Sequence, residues 1–225
     1  MTAPLLDINT WVGAWPFRQL RDASVTGLLK RMDKHGIERA VVGSLTGILY
    51  RNAHPANEEL SRQVRRHLDR FVPFALVNPL DPSWKTDLQR CADDLGFLGA
   101  RLVPQYHEYR LTDPAVLDVA DAIAERGWCI QVPQRIEDRR SRHPWDQARD
   151  LAPVEFEEAL AARPKVGWMF LNTLGLDGAR LPEKARYVVD ISRMTSVLQR
   201  NMQAFLDSAG QDRLAFGTGM AWNMP

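Results

Sequence analysis

Residues 113–133 read DPAVLDVADAIAERGWCIQVP. Asp113 and Pro114 open a helix, the acid at the N-cap and the proline at the first helical position, where its missing N–H goes unused. The helix predicted from them runs to Arg126 and stops at Gly127, and 128–132 then forms a short apolar strand ended by Pro133. An amphipathic helix feeding directly into a short apolar strand is half of a β-α-β unit. It decides the fold because it recurs. Working outward, strands are predicted at 5–12, 39–48, 71–78 and 99–103 before it, and at 166–171, 187–191 and 214–218 after it. Helices are predicted at 25–35 (closed by Gly36), 56–69, 84–95, 154–162 and 195–208. Eight strands alternating with helices predict an α/β fold, a (β/α)8 TIM barrel formed by 1–225 as a single domain. No G-x-G-x-x-G or Walker-type loop follows the first strand, which removes the usual support for a nucleotide-binding sheet. After the last strand only 221–225 remain, so the barrel is expected to lack its eighth helix, and 172–186 leave little room for the sixth.

Composition narrows the function classes. With 29 Lys+Arg against 28 Asp+Glu the formal charge is +1, so there is no electrostatic case for nucleic acid or a membrane surface as partner. A hydrophobic fraction of 45% with 25% charged residues excludes disorder as the main state. Two cysteines, Cys91 and Cys129, cannot build a disulfide framework or a four-cysteine zinc site. No apolar run approaches the roughly 20 residues that cross a bilayer, and the first four residues carry no signal-like pattern. A soluble cytoplasmic protein is expected.

Several segments, in their order along the chain, resemble the amidohydrolase-related TIM-barrel hydrolases. Leu6-Asp7-Ile8-Asn9-Thr10-Trp11-Val12-Gly13 sits where that family has an aspartate, two alternating histidines and a glycine. Asn57 with 69–75, Gly99-Ala100-Arg101-Leu102 with Gln105-Tyr106-His107 and 111–114, and 213–218 resemble later parts of the family's barrel. The resemblance implies a divalent metal that activates water. It also implies ligands on the first strand, after the fifth and sixth, and after the eighth. Here those positions read Asn9 and Trp11, Gln131, Asn172 and Gly219. Indole and glycine offer no ligand and amide oxygens are poor ones for zinc. No metal and no other cofactor is therefore expected. Alternation along a strand places Asp7, Asn9 and Trp11 on one face. The Trp11 indole is expected to fill the metal's place, the competing reading being a tryptophan that packs under a loop.

Among five histidines, His107 is the expected acid–base residue, because it falls in the loop after the fourth strand at the barrel's C-terminal mouth. The alternative is a solvent-exposed loop histidine. Arg101, charged within an apolar strand, needs a partner or the mouth; Asp190 or Asp7 is the expected partner of a structural ion pair, and a substrate carboxylate the alternative. Asn9, Trp11, Arg101, Gln131 and Asn172 together form the expected substrate-binding set. The segment 134–152 is long for a barrel loop and carries Arg135, Arg139, Arg140, Arg142 and His143 against four acids. A solvated, self-paired loop is expected there, an anion-binding lid being the other reading. Trp11, Trp15 and Trp222 are expected to cluster across the seam between the first and last strands. Two functions compete. One is a metal-independent hydrolase or lyase acting on a small carboxylated substrate. The other is a non-catalytic relative serving as a binding or partner subunit. The uncovered flank predicts a homo-oligomer.

Overall fold

The computed structural model describes residues 4–194 and 199–222. Among the described residues nine strands run in chain order: β1 (Leu6–Val12), β2 (Arg39–Ser44), β3 (Phe71–Pro73), β4 (Ala75–Leu76), β5 (Gly99–Arg101), β6 (Cys129–Pro133), β7 (Gly167–Leu171), β8 (Tyr187–Asp190) and β9 (Leu214–Ala215). The described helices between them are α1 (Val25–His35), α2 (His54–Val64), α3 (Trp84–Asp93), α4 (Pro104–His107), α5 (Pro114–Glu125), α6 (Pro153–Ala162) and α7 (Gln199–Ala209). The strands form two parallel sheets, β1-β2-β3 and β4 through β9 in sequence order. This is the α/β order expected of a (β/α)8 barrel.

Backbone bonds tie the two sheets together. The 71–78 stretch, expected as one strand, divides at Phe74. Pro73 has no N–H to donate, and the Phe74 N–H turns back to the Val42 carbonyl at 2.9 Å, while β4 takes up pairing with β5. At the other seam Ile8 donates to the Phe216 carbonyl (2.9 Å) and Gly219 to the Asn9 carbonyl (3.0 Å), with Thr10 bridged to Met220. The last stave thus returns to the first.

Local chemistry accounts for most element ends. Ser24 caps α1 by accepting from the Gly27 N–H, and Gly36 ends it at φ 66°, a conformation that penalises any side chain. Asp113 stands at the N-cap of α5 in extended backbone, but its carboxylate accepts from the Arg110 N–H instead of capping the helix. The strand expected over 39–48 stops at Ser44, and 46–49 tighten into a 3-10 turn. The helix expected at 56–69 starts two residues earlier, at His54, and ends at Val64. The last strand, expected over 214–218, pairs with β8 only over Leu214–Ala215, and the chain beyond it bonds to β1. Between 172 and 186 there is a single 3-10 turn, Gly178–Arg180, as the spacing implied. Residues 195–198 of the expected last helix, and 223–225, lie outside the described residues.

Apolar burial falls into three clusters. The largest lies between strands and helices and includes Met32, Leu60, Val116, Ile123, Phe156 and Phe205. A small one, Ile8, Val41, Phe74 and Leu171, draws on β1, β2, the β3–β4 junction and β7. The third gathers Trp11, Trp15, Leu45, Ile48, Val103, Ile136 and Trp222 from the C-terminal ends of strands and the segments that follow them.

Candidate functional site: a sealed polar layer at the barrel mouth

The five residues expected to bind substrate come from four different strands or strand ends, and the fold brings all five together. Trp11, Asn9, Arg101 and Gln131 have no exposed surface, and Asn172 has 1%. The Arg101 guanidinium, at the end of β5, lies 3.8 Å from the centroid of the Trp11 ring. Its Nε donates to Gln131 Oε1 at 2.8 Å, Nη2 donates to the same oxygen, and Nη1 donates to the Thr10 carbonyl at 3.1 Å. Gln131, on β6, is held in turn by donating Nε2 to the Ile8 carbonyl at 2.6 Å. Gly43 on β2 completes the cradle, since a Cβ there would stand 2.7 Å from Arg101 Cζ.

A second half of the network centres on Asn9. Its Nδ2 donates to Asp190 Oδ2 (2.5 Å) and Asn172 Oδ1 (3.0 Å), and its Oδ1 accepts from the Trp11 indole N–H (3.0 Å). Asn172 sits at φ 55°, one residue beyond β7, and donates its backbone N–H to Asp190 Oδ1 at 2.8 Å. Asp7 accepts from the Asn9 N–H at 2.9 Å and from the Thr218 hydroxyl at 2.6 Å. The register of β1 against β2 slips between Asp7 and Thr10, so simple alternation does not carry from Asp7 to Trp11 as expected. The expected ion pair is also corrected. Arg101 bonds to an amide and a carbonyl oxygen, and Asp7 and Asp190 act on it only through space.

Burial dominates the electrostatics. Desolvation pushes Asp7 and Asp190 up to about 6, against the hydrogen bonds that favour their ionised forms. Desolvation also pulls Arg101 down to about 9, with Asp7 and Asp190 opposing it.

Above this layer the mouth is closed by aromatic packing. Trp15 meets Trp222 edge-to-face at 4.8 Å, Phe17 at 5.3 Å and Tyr106 at 5.9 Å. The Trp15 indole N–H and Arg18 Nε both donate to the carboxylate of Glu137, which is 1% exposed. The long 134–152 segment is internally paired, as its composition suggested. Asp150 binds Arg135, Arg139 and Arg142, while Asp138 binds Arg140 and Arg193. The expected seam cluster of Trp11, Trp15 and Trp222 therefore exists, and it serves as the lining of a stopper.

His107 is not in an open loop. It ends the short helix α4, is 8% exposed, and has Tyr109 as its ring neighbour at 6.2 Å. Burial lowers it to about 4, against the backbone of Ile48 and Tyr50. No hydrogen bond or ring contact links it to the Arg101–Asn9 network among the described residues. Gly43 is a further site residue, and its signal in the chain is a glycine inside an apolar strand, which marks close approach of another group. Asp190, expected as a partner for Arg101, bonds to Asn9 and Asn172 instead.

The resemblance to metal-dependent hydrolases can be tested on the donors present. Each amide oxygen at an implied ligand position is already engaged: Asn9 Oδ1 by Trp11, Gln131 Oε1 by Arg101, and Asn172 Oδ1 by Asn9 and Ser192. Among the described residues no three His, Cys, Asp or Glu side chains converge. These residues do not fit a divalent metal, which takes imidazole, thiolate or several free oxygens.

Comparison with known proteins gives the lineage. A segment of the chain is 40% identical over 82 residues to gamma-resorcylate decarboxylase of Rhizobium radiobacter, a match covering 32% of this chain and 25% of that enzyme. The matched part thus spans a quarter of the length of that curated relative. The structure superposes on 2,6-dihydroxybenzoate decarboxylase from Rhizobium with a TM-score of 0.71 at 18% identity, over 97% of this chain and 88% of the other. Dihydroxybenzoic acid decarboxylase from Polaromonas sp. JS666, solved with manganese and 2-nitroresorcinol, gives a TM-score of 0.71 at 14% identity, over 97% and 87%. At those identities the structural likeness establishes the TIM-barrel fold alone. A family model described as amidohydrolase matches residues 14–163, and on that match the chain belongs to the amidohydrolase family.

Proposed function

We propose that this chain is a decarboxylase-like amidohydrolase barrel that does not run metal-assisted chemistry and serves as a binding or partner subunit. One observation carries the reading: the layer where barrel enzymes place their chemistry is closed. Asn9, Trp11, Arg101 and Gln131 are fully buried, and Trp15 and Trp222 pack over them. While that packing stands, Arg101 presents no surface to a small substrate. The test is an assay for carbon dioxide release from 2,6-dihydroxybenzoate, together with a hydrolase panel, each run with EDTA and with added manganese. Rates equal to the buffer blank are expected under every condition. The oligomer this reading calls for is checked by light scattering, where a strictly monomeric protein speaks against self-association.

A second reading keeps catalysis, and the stacked Arg101–Trp11 pair favours it. A guanidinium beside an indole face suits a planar carboxylate. In this reading the protein is a metal-independent hydrolase or lyase. Arg101 holds the substrate carboxylate against Trp11, Asn9, Gln131 and Asn172 supply polar contacts, and His107 exchanges the proton. The Trp15–Trp222 cover must then move aside. Turnover that survives EDTA and disappears in His107→Ala selects this reading over the first.

A further inference from the structure

Buried guanidinium groups are rare because removing the charge from water costs several kcal/mol unless acceptors replace the solvent. At Arg101, on β5, three other strands are shaped around that one group. Trp11 on β1 offers a ring face, Gly43 on β2 offers the absence of a side chain, Gln131 on β6 offers one oxygen to two N–H groups, and the Thr10 carbonyl takes a third. Two of these, Trp11 and Gln131, stand at positions where the family resemblance implies metal ligands. The acceptors are neutral, and the two nearby carboxylates, Asp7 and Asp190, are bonded to Thr218, Asn9 and Asn172 rather than to the guanidinium. Among the described residues this layer therefore holds one buried guanidinium and two carboxylates that act on it through space, without a direct ion pair.

We propose that the Arg101 guanidinium is the resident cation of this barrel, taking the electrostatic place that a divalent metal has in relatives solved with manganese, and that its cradle admits no metal. The inference rests on the non-catalytic reading only for the closed mouth; the cradle itself is independent of activity. Three features exclude an added ion. The guanidinium repels a second cation, Gln131 Oε1 is saturated by Nε and Nη2, and at Gly43 the guanidinium already fills the space a side chain would take.

The test uses the full chain, dialysed against EDTA and then equilibrated with 1 mM-scale manganese or zinc, reading metal per chain by mass spectrometry and the melting temperature. Less than one-tenth of an equivalent of bound metal and no change in melting temperature are expected. One equivalent of metal with a raised melting temperature overturns the proposal. The cationic role is read from two variants. Arg101→Lys keeps a charge and loses the planar fork; Arg101→Met keeps the length and loses the charge. Arg101→Lys is expected to melt higher than Arg101→Met. The opposite order, or an Arg101→Met protein as stable as the parent, shows a packing role only and overturns the proposal. If Arg101→Met does not fold, a folded Arg101→Lys supports the charge requirement, and the metal measurement on the parent stands by itself. Metal uptake without turnover sinks this inference and leaves the non-catalytic reading. Metal-free turnover does the reverse.

Discussion

The interaction between Arg101 and Gln131 is open to a quantitative test. Gln131→Met preserves side-chain length but removes the oxygen that accepts from Arg101 Nε and Nη2, and also the amide that donates to the Ile8 carbonyl. Hydrogen bonds to a charged group are worth roughly 1.5–3 kcal/mol each, and stranding a buried charge costs roughly 3–5 kcal/mol. Both Arg101 and Gln131 are fully buried, so water cannot make good the loss without opening the mouth. A destabilisation of about 3–5 kcal/mol is therefore expected in urea unfolding. For a chain of this size that is a fall in melting temperature of roughly 6–20 °C. The double-mutant cycle decides the cause. In an Arg101→Met background no guanidinium is left to strand, and Gln131→Met should then cost at least about 2 kcal/mol less than it does alone. Equal costs in the two backgrounds would show that Gln131 matters for packing or for the Ile8 carbonyl, and would refute the pairing argument.

Three further outcomes follow from the geometry. Gly43→Ala places a Cβ 2.7 Å from Arg101 Cζ in a packed interior, so it should destabilise by about 1–3 kcal/mol in urea unfolding, whereas Gly36→Ala, whose Cβ meets nothing, should show only the strain of its left-handed backbone. Asp190 has its folded pKa raised to about 6 from 3.8 by burial, so its contribution is fully present below 3.8 and is lost as pH rises through 6. Asp190→Asn should accordingly reduce the gain in melting temperature on passing from pH 7.5 to pH 5; an unchanged pH profile counts against the buried carboxylate. His107 has the opposite sign: lowered from 6.5 to about 4 by burial, it supports stability above pH 6.5 that is lost as pH falls toward 4. A His107→Gln protein should therefore lose less stability than the parent between pH 6.5 and 4.5 in thermal melts.

Much of the architecture is legible in the chain, because the signals are local. Ser24 and Gly36 bracket α1, Pro114 and Gly127 mark α5, and the short, largely apolar 128–132 run between Gly127 and Pro133 reads as a strand. The boundaries that fail are those set by a partner strand. The 71–78 stave divides at Phe74, whose N–H bonds to Val42 on β2 while the residues after it pair with β5, and β2 ends at Ser44 before the 3-10 turn at Thr46–Leu49. The candidate site shows the same division. Each of Asn9, Trp11, Arg101, Gln131 and Asn172 stands out where it occurs, as a polar or bulky residue in a strand or at its end. Nothing within a single segment shows that they touch.

By itself, then, the sequence determines the alternation of strand and helix, the family, and the presence of amides and an indole where that family's resemblance implies metal ligands. Only the tertiary structure decides what those residues do. Arg101 and Gln131 lie 30 positions apart, and Asn9 and Asp190 lie 181 apart. Hydrogen bonds and ring stacking act over a few ångströms, so which groups satisfy a buried charge is settled by strand order and register. Composition records that a guanidinium is present. The closure of β1, β2, β5 and β6 around it makes that guanidinium a buried charge with a hydrogen bond at each nitrogen instead of a solvated one.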